Sequence, residues 1–555
     1  MAISTTAPAI NINPRARFEI LGAVLLALFL GALDQTIVGP VLPTIVSRLH
    51  GADYYTWVVT AYLVTSTATI PIYGKLSDYF GRRPILIIGI SLFLVGSALS
   101  GLSSSMGELI LFRGIQGLGA GCLFPISLAV IGDLFTPAER GKYQGLFGAV
   151  FGIAFLVGPA IGGLLTDNLS WNWIFYVNIP VGIISLYLIV RLLPTVRTAG
   201  ARFSLDLAGL VFFLGAIVPA LVALTLAENG NWNDPYVIGY FGLSALSLVA
   251  FIVAEYRSAD PMIPLGLFRN RTFTVASISS FFAIFGFSAL IIFLPLWFQV
   301  VRHESTTVSG YLLFPFLAGL IFSSIMAGQV ASRTGRYKLQ LIGSMAVMAL
   351  ALALFSNLRG DTGYPVLWLW MLIAGLGVGP TMALFTVVVQ NDVPFSQLGT
   401  ATADLTLFRQ IGTSVALTVA FTLFRNNLSW GLIHNSIVGA GAPASAVPPV
   451  APAGFDPGGL ISVGGGGIGS ALSSVPAALQ PAFLTGFNQA FSVAIANSAW
   501  IGVASALIAL AACLALQEKP LRAHFSEEHL AHAQRQTGMA IPLEEADESS
   551  PLALA

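Results

Sequence analysis

The chain has 555 residues, 56% hydrophobic and only 9% charged, and its 25 basic and 25 acidic side chains cancel. A soluble globular chain carries about 25% charged residues, so this composition describes a polytopic membrane protein. The neutral balance excludes a global pull toward nucleic acid, and continuous rather than alternating apolar runs exclude a membrane β-barrel and leave helices.

The polar N-terminus, residues 1–17, precedes a first apolar run that is long and lacks a small-residue cleavage site, so no cleavable signal is expected. Fourteen spans are predicted, near 18–39, 54–74, 84–103, 108–131, 142–165, 173–193, 205–226, 235–255, 273–299, 308–331, 339–357, 366–389, 399–424 and 493–516. An even count puts both termini on one side. With the termini cytoplasmic, only Arg48, Arg302, Arg359 and Arg425 fall in outer loops or at outer span ends, and nearly all other Lys and Arg lie inside. That bias sets the orientation.

The first span contains Leu33-Asp34-Gln35-Thr36-Ile37-Val38-Gly39-Pro40. A charge at a helix centre in lipid costs about 2.5–3.5 kcal/mol even on the lenient insertion scale, so an intramembrane carboxylate is a functional candidate. At that depth Asp34 is able to exchange a proton. The open alternative is a solvated structural carboxylate, because Asp34 falls in the outer half of its run.

Spans two and three are joined by Gly74-Lys75-Leu76-Ser77-Asp78-Tyr79-Phe80-Gly81-Arg82-Arg83. Gly74 and Gly81 permit a sharp turn, and Lys75, Arg82 and Arg83 hold it on the cytoplasmic side. The fourth span carries Arg113 with Gln116 one turn on, sharing its face. Arginine stays charged, so Arg113 is read as a partner that governs a carboxylate's proton, or else as a structural side chain on backbone carbonyls.

Gly148, Gly152, Gly158, Pro159, Gly162 and Gly163 line the fifth span, where small residues let helices approach closely. Trp171-Asn172-Trp173-Ile174-Phe175-Tyr176-Val177-Asn178-Ile179-Pro180 opens the sixth, with its aromatics read as interfacial anchors. Asp206 is placed to cap the seventh span.

After span ten, Gly328-Gln329-Val330-Ala331-Ser332-Arg333-Thr334-Gly335-Arg336 echoes the Gly74 stretch, with Ser332 in place of the carboxylate. An offset of eight spans fits two six-helix halves with spans seven and eight inserted between them. Gly375, Gly377, Gly379 and Pro380 form another close-packing face. Span thirteen carries Asp404 and Arg409, five residues apart and off one shared helix face, so each is expected to have its partner elsewhere. Asp404 is either a cation or proton site or a group paired near the inner end. Residues 426–490 read as a flexible extracytoplasmic loop with a short amphipathic helix over 472–484, and 517–555 as a polar tail.

No G-x-x-x-x-G-K-[S/T] loop is present, which argues against ATP-driven pumping, and the six histidines show no metal-ligand spacing. Cys122 and Cys513 lie in apolar runs and read as buried small hydrophobes without a disulfide. No cofactor is expected, and no enzyme constellation is present.

The G-K-L-S-D-x-x-G-R-R turn resembles the loop between helices two and three of major facilitator superfamily transporters. The stretch from Leu33 to Pro43, the Arg113-x-x-Gln116-Gly117 element, the fifth-span Gly-Pro run, the W-x-W-x-F-x-x-N-x-P element and Phe408-Arg409-Gln410 together resemble the superfamily's fourteen-span drug:proton antiporter branch, of the EmrB/QacA type. The resemblance implies an all-α major facilitator fold of two six-helix bundles plus two inserted helices. Its units are a cytoplasmic N-terminus at 1–17, a bundle at 18–193, the inserted pair at 194–256, a second bundle at 257–516 and the tail at 517–555.

It further implies proton-coupled export of an amphipathic small molecule across the cytoplasmic or inner membrane by alternating access. Asp34, Arg113, Gln116, Asp404 and Arg409 would serve coupling and transport. Gly74, Asp78, Gly81, Arg82 and Arg83 would form a gate, with Asp78 set against the start of span thirteen. Gly152, Gly158, Pro159, Gly162 and Gly163 would form the antiporter packing motif. The expected partners are cargo, protons and lipid, in a monomer, with an accessory periplasmic adaptor left open. A lipid or metabolite exporter and a non-transporting sensor are the alternative readings.

Overall fold

A computed structural model describes residues 14–49, 54–194, 206–228, 232–448 and 476–521. Those residues are helical with no strand among them. In chain order the helices are α1 (Pro14–Leu49), α2 (Tyr55–Phe80), α3 (Arg82–Leu102), α4 (Met106–Ala120), α5 (Leu123–Leu134), α6 (Pro137–Asn168), α7 (Trp173–Tyr176), α8 (Asn178–Leu192), α9 (Leu207–Glu228) and α10 (Pro235–Arg257). They continue as α11 (Arg271–Val301), α12 (Thr306–Tyr311), α13 (Phe314–Thr334), α14 (Lys338–Phe355), α15 (Tyr364–Asp392), α16 (Leu398–Asn427), α17 (Trp430–Gly439) and α18 (Gln480–Leu514).

Thirteen stretches among the described residues are long and apolar enough to cross a membrane. The span predicted near 54–74 is the continuous helix α2, which is less apolar because Thr60, Thr65, Ser66, Thr67 and Thr69 interrupt it. In lipid a helix satisfies its own backbone, so hydroxyl-bearing residues are tolerated where they bond locally. Thr65 and Thr69 do so, donating to the Ala61 and Thr65 carbonyls one turn back.

Several helices depart from the predicted limits. The fourth span breaks between α4 and α5 around Gly121 and Cys122, the sixth between α7 and α8, and the tenth between α12 and α13. α1 runs on to Leu49, and α18 starts at Gln480, well before 493. The short helix expected over 472–484 is therefore, from Gln480 on, the first turns of α18, and 472–475 lie outside the described residues. Part of the loop expected to be flexible is the helix α17, whose Ile433 and Ile437 are buried and whose backbone meets Gly486 of α18. The predicted N-terminal segment to residue 13, the linker at 195–205 and the tail beyond 521 also lie outside the described residues.

Helix starts are set by local caps. Thr136 and Glu139 form a capping box at α6, Ser105 and Asn270 cap α4 and α11, and Asp206 Oδ1 accepts from Gly209 N at 2.7 Å at the start of α9. Buried apolar side chains gather in two main cores. One is built mostly from α11 to α18, and the other from α1 to α6 and α8. Cys513 lies in the first and Cys122 in the second.

Two seams join these parts: α6 packs on α13, and α2 packs on α16. α9 pairs with α10 and also lies against both α2 and α16. α10 turns Ile238, Leu246, Val249 and Ile252 outward, as a lipid-facing helix does.

Candidate functional site

Asp34 is fully buried among four helices. Its Oδ2 accepts from Arg113 Nη1 at 2.8 Å, and its Oδ1 accepts from Gln116 Nε2 at 2.7 Å and Asn178 Nδ2 at 2.9 Å. Arg113 Nη1 also donates to Gln116 Oε1 at 2.8 Å, and the guanidinium lies 4.2 Å from the Tyr62 ring centroid. Ser97 Oγ accepts from Gln116 and Asn178 and donates to the Phe175 carbonyl at 2.9 Å. The network thus ties α1 to α3, α4, the α7 turn and α8. The solvated alternative for Asp34 is overturned, because its α1 face points into the helix bundle instead of the outer mouth.

Burying an ion pair is costly unless hydrogen bonds satisfy the remaining lone pairs, and here Gln116 and Asn178 supply them. Removing one member leaves the other charged and unpaired, which costs about 3–5 kcal/mol. Two residues further along α1, Thr36 Oγ1 donates to the Ala154 carbonyl of α6 at 2.9 Å. Gly158 and Gly162 of α6 sit against Thr36 and Ile37, where a Cβ would collide or crowd. On its other face α6 sets Gly148 and Gly152 against Ser324 and Ile321, Pro159 against Gly310, and Gly163 against Thr307. The small residues of α6 therefore lie on the seam, between α1 on one side and α12 and α13 on the other.

The Gly74 turn forms a second cluster. Gly81, at φ 88°, makes the sharp turn between α2 and α3. Asp78 accepts from Gly399 N at 3.0 Å, from Thr400 N and Oγ1 each at 2.7 Å, and from Arg82 Nη1 at 2.5 Å. Gly399 and Thr400 are the first turn of α16, whose unpaired N–H groups and dipole favour an anion. Arg82 Nε donates to Asp133 Oδ2 at 3.0 Å, and Arg83 Nη2 to the Val190 carbonyl at 2.6 Å. Gly74 abuts Gly399 and Ala403, so a side chain there would push α2 off α16.

Beside this turn, Lys75 Nζ donates to the Pro261 carbonyl at 2.9 Å and pairs with Asp260 Oδ1 at 3.0 Å. Tyr79 OH donates to Asp260 Oδ2 at 2.8 Å. The linker from α10 to α11 is thereby pinned to the end of α2.

In α16, Asp404 and Arg409 do not meet. Arg409 Nε donates to Ser280 Oγ at 2.7 Å, Nη1 to Thr386 Oγ1 at 3.3 Å and Nη2 to the Thr381 carbonyl at 3.1 Å. Asp404 is fully buried, and both its oxygens lack a hydrogen-bond partner among the described residues.

Sequence reasoning missed Asn178, Ser97, Tyr62 and Asp260. Asn178 was visible as a buried-type amide inside an aromatic run, but those aromatics read as interfacial anchors. It also missed a buried polar layer across the seam. Arg140 donates to the carbonyls of Phe135, Gly132 and Gln390, while Gln144 Nε2 donates to Gln390 Oε1 at 2.7 Å. Among the described residues no cluster of His, Cys, Asp and Glu suits a metal ion.

A family profile described as "Major Facilitator Superfamily" matches residues 24–417. The chain is 38% identical over 423 residues to the multidrug transporter protein MdtP of Bacillus subtilis (strain 168), covering 76% of this chain and 78% of that protein. It is 36% identical over 411 residues to multidrug resistance protein 3 of the same organism, covering 74% and 80%. Among solved structures, the human organic anion transporter MFSD10 superposes with a TM-score of 0.56 over 87% of this chain and 99% of that one. At 16% identity that likeness is one of fold alone.

Proposed function

Because the chain belongs to the major facilitator superfamily, and is a multi-pass transporter and no enzyme, we propose that it is a proton-coupled exporter of amphipathic compounds of the fourteen-span drug:proton antiporter type. The two Bacillus relatives, named for multidrug transport and resistance, support the cargo class. The observation that carries the coupling is the buried Asp34–Arg113 pair with its amide partners Gln116 and Asn178.

In this reading α2 also crosses the membrane and brings the spans to fourteen, and the basic end of the molecule, with Lys75, Arg82 and Arg83, lies in the cytoplasm. The two halves, 18–193 and 257–516, rock about a central chamber while α9 and α10 ride on the α2–α16 seam. Protonation of Asp34 removes the negative partner of Arg113. The guanidinium, unable to shed its own charge, must then find other acceptors, and the network holding α1 rearranges. Thr36, Gly158 and Gly162 pass that shift to α6 and so to the seam with α13.

On the cytoplasmic side the gate is Asp78 on the first turn of α16, backed by Arg82. In the outward-open state these contacts hold, and they separate when the inner side opens. Asp404 sits beside this gate as a second proton or cation site. The protein acts as a monomer in the cytoplasmic membrane, with both termini inside.

The test is efflux from cells that lack their own pumps, across cargo of several chemical classes. Wild-type chain is expected to lower the accumulation of amphipathic compounds, and the uncoupler-sensitive part of that efflux is expected to vanish in Asp34→Asn and Arg113→Ala at equal expression. Undiminished efflux in both variants would defeat the assignment.

A further inference from the structure

Arg409 is a mid-membrane cation with no counter-ion among the described residues. It lies about 16 Å along α16 from its start at Leu398, at 1.5 Å per residue, which is near the middle of a bilayer core about 30 Å thick. Its three hydrogen-bond partners are two hydroxyls and one carbonyl, from Ser280, Thr386 and Thr381, all neutral. No acidic group forms an ion pair with it among the described residues.

Neither intramembrane carboxylate compensates it. Asp34 is taken by Arg113 in the other half of the molecule. Asp404 is five positions away on the same helix, about 140° round at 100° per residue.

A guanidinium cannot shed its proton to escape burial, so it persists at depth only with partners or with a purpose. Its surroundings suggest the purpose. Phe281, Phe282 and Phe285 follow Ser280 on α11, each partly exposed, and Phe281 lies against Gly412 of α16, one turn from Arg409. Ser277, one turn from Ser280 on the same helix, is buried with its hydroxyl unpartnered. Carriers of this architecture bind cargo near the midplane, the depth at which Arg409 lies.

We propose that Arg409 is the recognition point for the acidic group of an amphipathic organic anion. The carboxylate, sulfonate or phenolate takes the place of the Thr381 or Thr386 contact, and the apolar body lies on the α11 phenylalanines. This rests on the exporter reading above and narrows its cargo class. Fork-to-carboxylate geometry is the natural match for a guanidinium, and a permanent cation would be repelled.

The experiment uses the purified full-length chain in proteoliposomes with an imposed proton gradient. The probes are two xanthene dyes of similar bulk, anionic carboxyfluorescein and cationic rhodamine 6G, with neutral N-phenylnaphthylamine as a third. Wild type is expected to move carboxyfluorescein. Arg409→Gln is expected to lower that rate by about tenfold to a hundredfold, the worth of one charge-assisted contact, and to lower the carboxyfluorescein rate by more than it lowers the naphthylamine rate. Arg409→Lys keeps the charge without the fork and is expected to fall between.

A wild type that moves only the cation or the neutral dye overturns the proposal and leaves the exporter reading standing. Equal loss of every dye in Arg409→Gln and Arg409→Lys, with unchanged size-exclusion profile and thermal unfolding, also overturns it, since that is what a structural arginine gives. Movement of no dye by the wild type defeats the exporter reading itself.

Discussion

Thr400 donates to Asp78 Oδ2 from both its backbone N and its Oγ1, each at 2.7 Å, across the seam between α2 and α16. The contact places a carboxylate on a helix N-terminus, where orphan N–H groups and the dipole both favour it. Asp78→Asn keeps the shape but loses the charge, and with it the pairing with Arg82. Hydrogen bonds to charged groups are worth about 1.5–3 kcal/mol, so inner closure is expected to weaken by about tenfold or more. Cysteines placed on either side of the seam at this end should cross-link less in Asp78→Asn than in the parent. Unchanged cross-linking would remove Asp78 from the gate.

The second copy of the turn makes the mirror contact. Gly328 lies on the backbone of Gly141 and Gly145 at the start of α6, and Ser332 Oγ accepts from Lys142 N at 3.0 Å. Gly74 does the same against α16. Each of the two apolar cores thus sets a glycine on the first turns of a helix from the other. Gly328→Val should force α13 off α6 at a cost of about 1–3 kcal/mol, the usual range for overpacking. Transport is expected to be lost while the protein still reaches the membrane, and wild-type turnover would count against a closing role for this seam.

Lys75 and Asp260 join the α10–α11 linker to α2. Both side chains are mostly buried, so the pair is screened less than a surface bridge. Asp260→Asn and Lys75→Gln should each slow export, and the double variant should be no slower than either alone. That non-additivity is the signature of two groups acting as one contact. Additive losses would mean that each side chain acts separately.

Asn178 holds Asp34 from α8 without carrying charge. Asn178→Leu removes one donor of three, an expected loss of about 1.5–3 kcal/mol from the ionised form of Asp34. Export is therefore expected to slow by about tenfold or more, and Asn178→Gln, which keeps an amide donor, is expected to slow it less. Undiminished export in Asn178→Leu would show that Asn178 only fills space.

Much of this was legible in the sequence. Charge-free runs predicted the helices, and the echo between Gly74 and Gly328 predicted that two parts of the chain play matching roles. Asp78 was placed against span thirteen by resemblance, and the geometry has it on Gly399 and Thr400. What stayed hidden depends on distance through space. Nothing in the spacing of Asp34, Ser97, Gln116 and Asn178 says that they converge, since they come from different helices. Arg140, Gln144 and Gln390 each look like loop-edge polars until α6 and α15 are packed together. Close approaches such as that of Gly121 to Ser66 and Thr69 of α2 are likewise tertiary. Hydropathy does not report them.

Coupling in this protein requires Asp34 to carry the proton. Purified chain in proteoliposomes loaded with a pH-sensitive dye should show proton movement when an exported compound is added to the wild type. Asp34→Asn should show none, even if it still binds the compound. Proton movement of wild-type size in Asp34→Asn would contradict the account and send the search for the coupling carboxyl elsewhere.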